Sequence, residues 1–539
     1  MNGIDIHGWS ALTRLLLRTS RLTLTLWPLL IGVLAFVTAR SVSGLYDTPE
    51  KRALYAQTVT GSAVQAAFNG RAYDVTGVGG IAVYELGFYS LLVFPAIAVH
   101  MAVHLTRSQE DAGRLDILTA SRLGRTAPLA AAFALLAAAL GGTGVLTWAG
   151  LTAAGLPAVG SAWFAAATVA SMAFFAALGV VAAQVAQDAR GAHGLGGAQQ
   201  RRHHRDGLGV MAGLYLVRAA VDGRGWNATW VSPSGWFPET RPFGDTASWP
   251  LVAYAAGALA LAALAAVLNV RRDLGAGLVV PRPGPPRGAA ALGTPFGLTW
   301  RLNRGALLAW MVGIAVWEGI FGSLTREMRA MIERNPGLRE YFGVTGSPDD
   351  LMTSMAALMG ALLAAGVGIQ VVGRLAGEEI ASRAAVVMAA PVSRVRWWAG
   401  AVGVALTQAG VVALVGGVAL GVGAWMSTGD AAYLRRAPAW ALAYLPAVAL
   451  VTAAAAVVAA TRPRWHAAGW AVFGWVLTVA MLAGTLRMSP ALRGTSPQEH
   501  VGRIPAEPLD VAGVVIMAAV SVALLAASAA LFRRRDLAA

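Results

Sequence analysis

Long apolar runs alternate with short charged interruptions along the 539 residues, and the runs set the architecture. A helical membrane span needs about 20 mainly apolar residues. Twelve stretches are read as spans: 22–42, 82–105, 127–149, 161–184, 207–220, 251–270, 307–321, 352–372, 398–423, 440–460, 467–483 and 511–532. The fifth is interrupted by Arg218. Before the first, residues 9–21 put leucines on one face and Arg14, Arg18 and Arg21 on the other, the pattern of a helix resting in the headgroup plane. The apolar run that follows is too long for a signal-peptide core, so it reads as the first span. Polar segments follow the first and seventh spans, at 43–80 and 325–350. In the earlier one, Thr48 is placed to cap a helix beginning at Pro49.

The whole pattern occurs twice. After the second span comes Arg107-Ser-Gln-Glu110-Asp111-Ala-Gly113-Arg114-Leu-Asp116, continuing to Arg125. After the eighth span an echo runs from Gly377-Glu378-Glu379 to Pro391-Val-Ser393-Arg394. Without a gap, Glu110 falls on Glu379, Arg114 on Arg383 and Arg125 on Arg394, each 269 positions later. Three more landmarks keep the same order. Arg18-x-x-Arg21 with Trp27 returns as Arg301-x-x-Arg304 with Trp310, and Ser232-Pro233 returns as Ser496-Pro497. Arg271-Arg272-Asp273-Leu274 returns as Arg534-Arg535-Asp536-Leu537.

The chain therefore reads as a tandem duplication of a six-span unit. Residues 1–274 and 298–539 form the two halves, and 275–297 is a Pro/Gly-rich linker. An even number of spans per unit gives both halves one orientation. Arginines gather at one end of the runs, and the positive-inside rule puts that end, both termini, the linker and both charged stretches in the cytoplasm. The predicted fold class is an all-α polytopic membrane protein of about twelve transmembrane helices in two parallel six-helix repeats.

Composition narrows the function. Only 13% of residues are charged, against about 25% in a soluble protein. The net charge of +15 comes from arginines at span ends, not from a basic stripe, so nucleic acid is not an expected partner. Cysteine is absent, which excludes disulfides, thiolate metal sites and cysteine nucleophiles. Lys51 is the sole lysine and lacks a glycine-rich approach, so the phosphate-cradling loop of a P-loop ATPase is not encoded here. His100 and His104 share a helix face, but Met101 stands where a zinc helix carries Glu; no metal is expected. No acid pair or Ser–His arrangement converges at one depth, so no catalytic residue is assigned.

The charged stretches carry the chemistry. Acidic residues at the start and arginines at the end suit a short helix and its macrodipole. An amphipathic helix between two spans is suited to docking in a groove on another protein. Thr106-Arg107-x-x-Glu110-Asp111-x-Gly113-Arg114-x-Asp116-Ile-Leu resembles the cytoplasmic motif of type 2 ABC exporter permeases. Glu378-Glu379 and Pro391-Val-Ser393-Arg394 resemble its two ends. The duplicated twelve-span members that export polyketide antibiotics are most similar, sharing Tyr46-Asp47-Thr48-Pro49, Leu123-Gly124-Arg125, Ser232-Pro233-x-Gly235-Trp236 and the final Arg-Arg-Asp-Leu. Asp116 stands where that family usually has Glu, and Ser382, Ala384 and Ala385 erode the second copy.

The resemblance implies that Arg107, Glu110, Asp111, Gly113, Arg114, Asp116 and Arg125 form a coupling helix seated on an ATPase. Glu378, Glu379, Arg383, Pro391 and Arg394 would form its counterpart. It makes residues 9–21 an elbow helix, and places Ser232, Pro233, Gly235, Trp236, Ser496 and Pro497 in extracytoplasmic re-entrant segments. It implies a permease that exports hydrophobic or amphiphilic molecules, antibiotic or lipid, through a bacterial plasma (inner) membrane. ATP and Mg would sit on a separate ATPase, two copies per chain.

The alternative is a proton-coupled secondary transporter of the major facilitator type, which also has two parallel six-span halves. Arg122-Leu-Gly124-Arg125 resembles that family's loop between spans 2 and 3, but Ser121 and Ile117 replace its Asp and first Gly. Glu85, Glu318, Arg218 and Asp222 lie near extracytoplasmic span ends, where snorkelling to water is expected. As ionisable groups in spans, Glu85 and Glu318 are also the candidates for the substrate path.

Overall fold

The computed structural model describes residues 5–60, 63–111, 123–185, 207–272, 288–326, 329, 348–482 and 488–536. Within these, every regular element is a helix or helical turn. Contacts divide the chain into two compact units, Met1–Pro283 and Gly284–Ala539.

The first unit begins with α1 (Trp9–Leu45). This is one continuous helix of 37 residues, where the sequence pattern separates a headgroup helix from a first span. The physical reason is local: Arg18-Thr-Ser-Arg21 contains no Gly or Pro to stop the helix before Leu22. At 1.5 Å per residue it is about 55 Å long, well beyond the roughly 30 Å hydrocarbon layer. Leu12, Leu16, Leu24 and Ile31 form its buried stripe. Next come α2 (Pro49–Val59), capped by Thr48 as expected, and α3 (Ala63–Asn69). A second span follows from α4 (Val78–Glu85), a π-turn (Tyr89–Val93) and α5 (Phe94–Leu105). It leads into α6 (Arg107–Asp111). Then come α7 (Ala127–Ala153), α8 (Ala158–Val185), α9 (Gly207–Gly223), α10 (Pro233–Trp236) and α11 (Trp249–Arg271).

The second unit repeats the scheme. α12 (Pro295–Ser323) is followed by α13 (Pro348–Ile380), α14 (Arg383–Met388) and α15 (Arg394–Thr428). α16 (Tyr433–Ala443) and α17 (Leu445–Thr461) lead to α18 (Ala468–Leu482), α19 (Pro490–Arg493) and α20 (Val511–Arg534).

Ten helical segments among the described residues are long and apolar enough to cross a membrane. The two expected spans outside that set are α9, with 17 residues, and α18, with 15. They are the fifth and eleventh, equivalent positions of the two units, and their described parts run for about 25 and 22 Å.

Packing is also duplicated. α1 lies along α7 and α11 along α8 in the first unit; α12 lies along α15 and α20 along α17 in the second. Glycines let these backbones approach. A Cβ on Gly150 would sit 2.6 Å from the Gly32 carbonyl, and one on Gly423 would sit 2.3 Å from that of Gly319. Gly417 and Gly421 serve the same purpose against α16, where added Cβ atoms would meet Ala441 Cβ at 2.8 Å and the Tyr433 carbonyl at 2.7 Å.

Candidate functional site

The duplicated charges converge at one end of each unit. In the first, Glu110 closes a buried cluster. Arg107, fully buried, donates from Nη1 to Glu110 Oε2 at 2.6 Å. Arg272, one residue past α11, donates to the same carboxylate through both terminal nitrogens, with Nη1 at 2.8 Å from Oε2. Its Nε donates to Gln184 Oε1 on α8 at 2.6 Å, and its carbonyl accepts from Arg125 Nη2 at 2.9 Å. Two arginines on one buried carboxylate satisfy its lone pairs. α6 is described as far as Asp111; Gly113, Arg114 and Asp116 lie outside the described residues.

The second unit builds the same arrangement from equivalent positions. Arg535, one residue past α20, grips Glu379 through both terminal nitrogens, with Nη2 at 2.6 Å from Oε2. Its Nε donates to the Ala460 carbonyl at the end of α17, and its own carbonyl accepts from Arg394 Nη1 at 2.7 Å. Glu378 makes a separate, two-pronged pair with Arg383, whose side chain is 57% exposed. The hydrogen bond from Arg383 to Glu378 raises the Arg383 pKa above its ordinary value. Pro391 is exposed in the turn after α14, and Ser393 caps α15 by accepting from the Arg396 amide at 3.3 Å.

The loop that resembled a major facilitator signature has local explanations. The Gly124 amide donates to the His7 carbonyl at 3.0 Å, and Thr126 reaches the Asp5 carbonyl through its amide and hydroxyl. Residues 5–7 thus lie as a strap across 124–126. Gly124 is required by that approach, because a Cβ there would stand 2.3 Å from the Asp5 carbonyl oxygen. His104 contacts Ser20 Oγ at 3.2 Å, tying α5 to α1.

At the opposite end of the first unit, charges expected to snorkel are turned inward. Arg218 is fully buried and Asp222 is 4% exposed. Arg218 caps α3, donating to the Ala66 and Ala67 carbonyls at 3.1 and 2.8 Å, and lies 4.6 Å from the Tyr215 ring centroid. Desolvation drives such a charge toward carbonyls rather than leaving it unpaired in a span. Ser232 donates to the Leu214 carbonyl, and Tyr254 donates to that of Pro233. Trp236 donates to the Trp230 carbonyl, while Gly235 lets the Thr229 carbonyl approach to 2.3 Å from where a Cβ would be. Outside the spans, burial and then the hydrogen bond to Glu239 raise the Tyr73 pKa. In the second unit, Ser496 contacts Gln498 and Pro497 opens the turn Pro497–His500.

The two substrate-path candidates are not alike. Glu85 is exposed and accepts a hydrogen bond from Tyr55. Glu318 is 1% exposed, not snorkelled, and neither carboxyl oxygen has a hydrogen-bond partner. It fits because positions 360 and 416 are glycines: a Cβ at 360 would stand 2.7 Å from Glu318 Oε1. Among the described residues, no three His, Asp or Glu gather as a metal site.

In the sequence, Arg272 and Arg535 stand out only as landmarks, with no role attached. Their recurrence in Arg-Arg-Asp-Leu was the signal that could have placed them beside the equally duplicated Glu110 and Glu379.

Comparison with known proteins identifies relatives of the chain. Residues 292–533 match the family model described as "Multidrug efflux system permease Rv1217c, C-terminal domain". The multidrug efflux system permease protein Rv1217c of Mycobacterium tuberculosis is 31% identical over 539 residues, covering 99% of this chain and 96% of the relative.

Proposed function

Because the chain belongs to the family of multidrug efflux system permeases, we propose that it is the permease of an ABC exporter, driven by ATP hydrolysis on a separate subunit. It is a multi-pass membrane protein, and the reading places it in a bacterial plasma membrane. Two ATPase subunits, carrying ATP and Mg, would seat the stretches at 107–125 and 378–394. Their closure on nucleotide would move both stretches, and the units would pass a hydrophobic or amphiphilic molecule outward. Net export requires the inward and outward states to differ in affinity for that molecule.

The observation that carries the reading is the duplicated stretch itself. Both copies follow the second span of a unit, and both keep a glutamate paired with an arginine beyond the unit's last span. A loop that only carried positive-inside arginines would need neither the acid nor the repeat.

The test is reconstitution with a P-loop ATPase partner. The chain alone should hydrolyse no ATP, and with its partner it should export in a vanadate-sensitive way. Arg114→Ala and Glu110→Ala should uncouple export while membrane insertion persists. Export driven by a proton gradient, indifferent to vanadate and complete without a partner, would instead establish the secondary transporter.

A further inference from the structure

Each unit gathers four spans on one arginine, through its guanidinium and its backbone carbonyl. Arg272 joins the end of the second span (Glu110), the approach to the third (Arg125), the fourth (Gln184) and the end of the sixth. Arg535 joins the end of the eighth (Glu379), the start of the ninth (Arg394), the end of the tenth (Ala460) and the end of the twelfth. The topology is the same, although the fourth span contributes a side-chain amide in one unit and a terminal carbonyl in the other. A shared geometry reached with different acceptors indicates that the arginine's position is what both units preserve.

We infer that Arg272 and Arg535 are positioning residues that transmit movement of the charged stretches to the last span of each unit. The inference rests on the permease reading above and adds the route inside the chain. A planar, forked guanidinium is suited to transmission. Two of its nitrogens hold the carboxylate and the third holds the neighbouring span, which fixes orientation as well as distance. An ammonium would keep the charge but not the fork.

α11 and α20 are the elements that most need such a link. In the windows that qualify them as spans, only 11% and 17% of residues are buried, against 67% for the second span and 72% for the eighth. Fewer of their residues are sealed from solvent than in the other spans of their units, and each lies chiefly along one neighbour, α8 or α17. The charged clasp at its end, largely removed from water, supplies a directional attachment that packing does not.

The natural absence of cysteine makes the test direct. Spin labels at Val270→Cys on α11 and Leu29→Cys on α1, both exposed positions, report the distance between the last and first spans of the unit. The full chain is measured with its ATPase, with and without ATP and vanadate. In the wild-type background the distance should change on nucleotide trapping. Arg272→Gln should abolish that change and Arg272→Lys should keep part of it, with hydrolysis persisting in both. The loss of coupling should be roughly tenfold in molecules moved per ATP.

A thermal double-mutant cycle of Glu110→Gln with Arg272→Gln on the purified chain should be non-additive, and it needs no ATPase. An additive cycle, or an unchanged nucleotide response in Arg272→Gln, overturns the inference. A chain that no P-loop ATPase binds removes the permease reading. An ATPase that binds and cycles while the label distance stays fixed removes only the transmission role.

Discussion

Arg218 and Asp222, one turn apart on α9, pair at 3.3 Å with neither side chain reaching solvent. Arg71 adds a second, longer contact to Asp222 at 3.5 Å. Breaking a buried pair from one side leaves an uncompensated charge, a cost of about 3–5 kcal/mol. Arg218→Leu should therefore destabilise by that order, and more than Asp222→Asn does. The double replacement Arg218→Leu/Asp222→Leu should recover part of the loss. Thermal unfolding of the purified protein in detergent checks this; equal melting points for the single and double variants would show that the pair contributes nothing.

Gly124 is set by backbone approach rather than by conformation. An alanine there would drive its Cβ to 2.3 Å from the Asp5 carbonyl, displacing the strap formed by residues 5–7. Forcing extra volume into a packed contact costs about 1–3 kcal/mol. Gly124→Ala should expose the N-terminal residues to limited proteolysis while the spans stay protected. A cleavage pattern like that of the native chain would mean the strap bears no weight.

Much of this architecture was legible because bilayer thickness turns apolar run length into a helix count. The apolar runs fall on helical segments, ten of them long enough to cross a membrane among the described residues, and Thr48 caps α2 where Pro49 predicts. What escaped was partnership. Glu110 and Arg272 are 162 positions apart, and no helical or strand period links residues at that distance. The continuity of α1 was hidden because a headgroup helix and a span have the same backbone. The burial of Glu318 was hidden because it depends on glycines on two other helices, α13 and α15.

The second charged stretch presents Arg383 to solvent, where its pair with Glu378 is screened. Exposed pairs contribute about 0–1 kcal/mol. Arg383→Ala should leave the melting temperature almost unchanged, so any loss of ATPase binding or export reports contact with a partner rather than damage to the fold. Arg535→Ala differs: it releases Glu379, which is 2% exposed, and should lower the melting temperature clearly. Measured side by side, the two variants separate the docking surface from the clasp beneath it. Equal stability losses would contradict that division.

Glu318 offers the sharpest stability test. Its carboxyl lies between α12, α13 and α15 with both oxygens unbonded, in space left by Gly360 and Gly416. A buried polar group without a partner costs about 1–3 kcal/mol, and an apolar group of similar shape removes that cost. Glu318→Met should raise the thermal midpoint of the purified chain. Gly360→Ala should lower it, because the new Cβ would press on Glu318 Oε1 at 2.7 Å. In the Met background Gly360→Ala should cost less, since the thioether chain can bend away where the planar carboxyl cannot. A Glu318→Met variant that melts below the wild type would show that the carboxyl has a favourable partner in the folded chain.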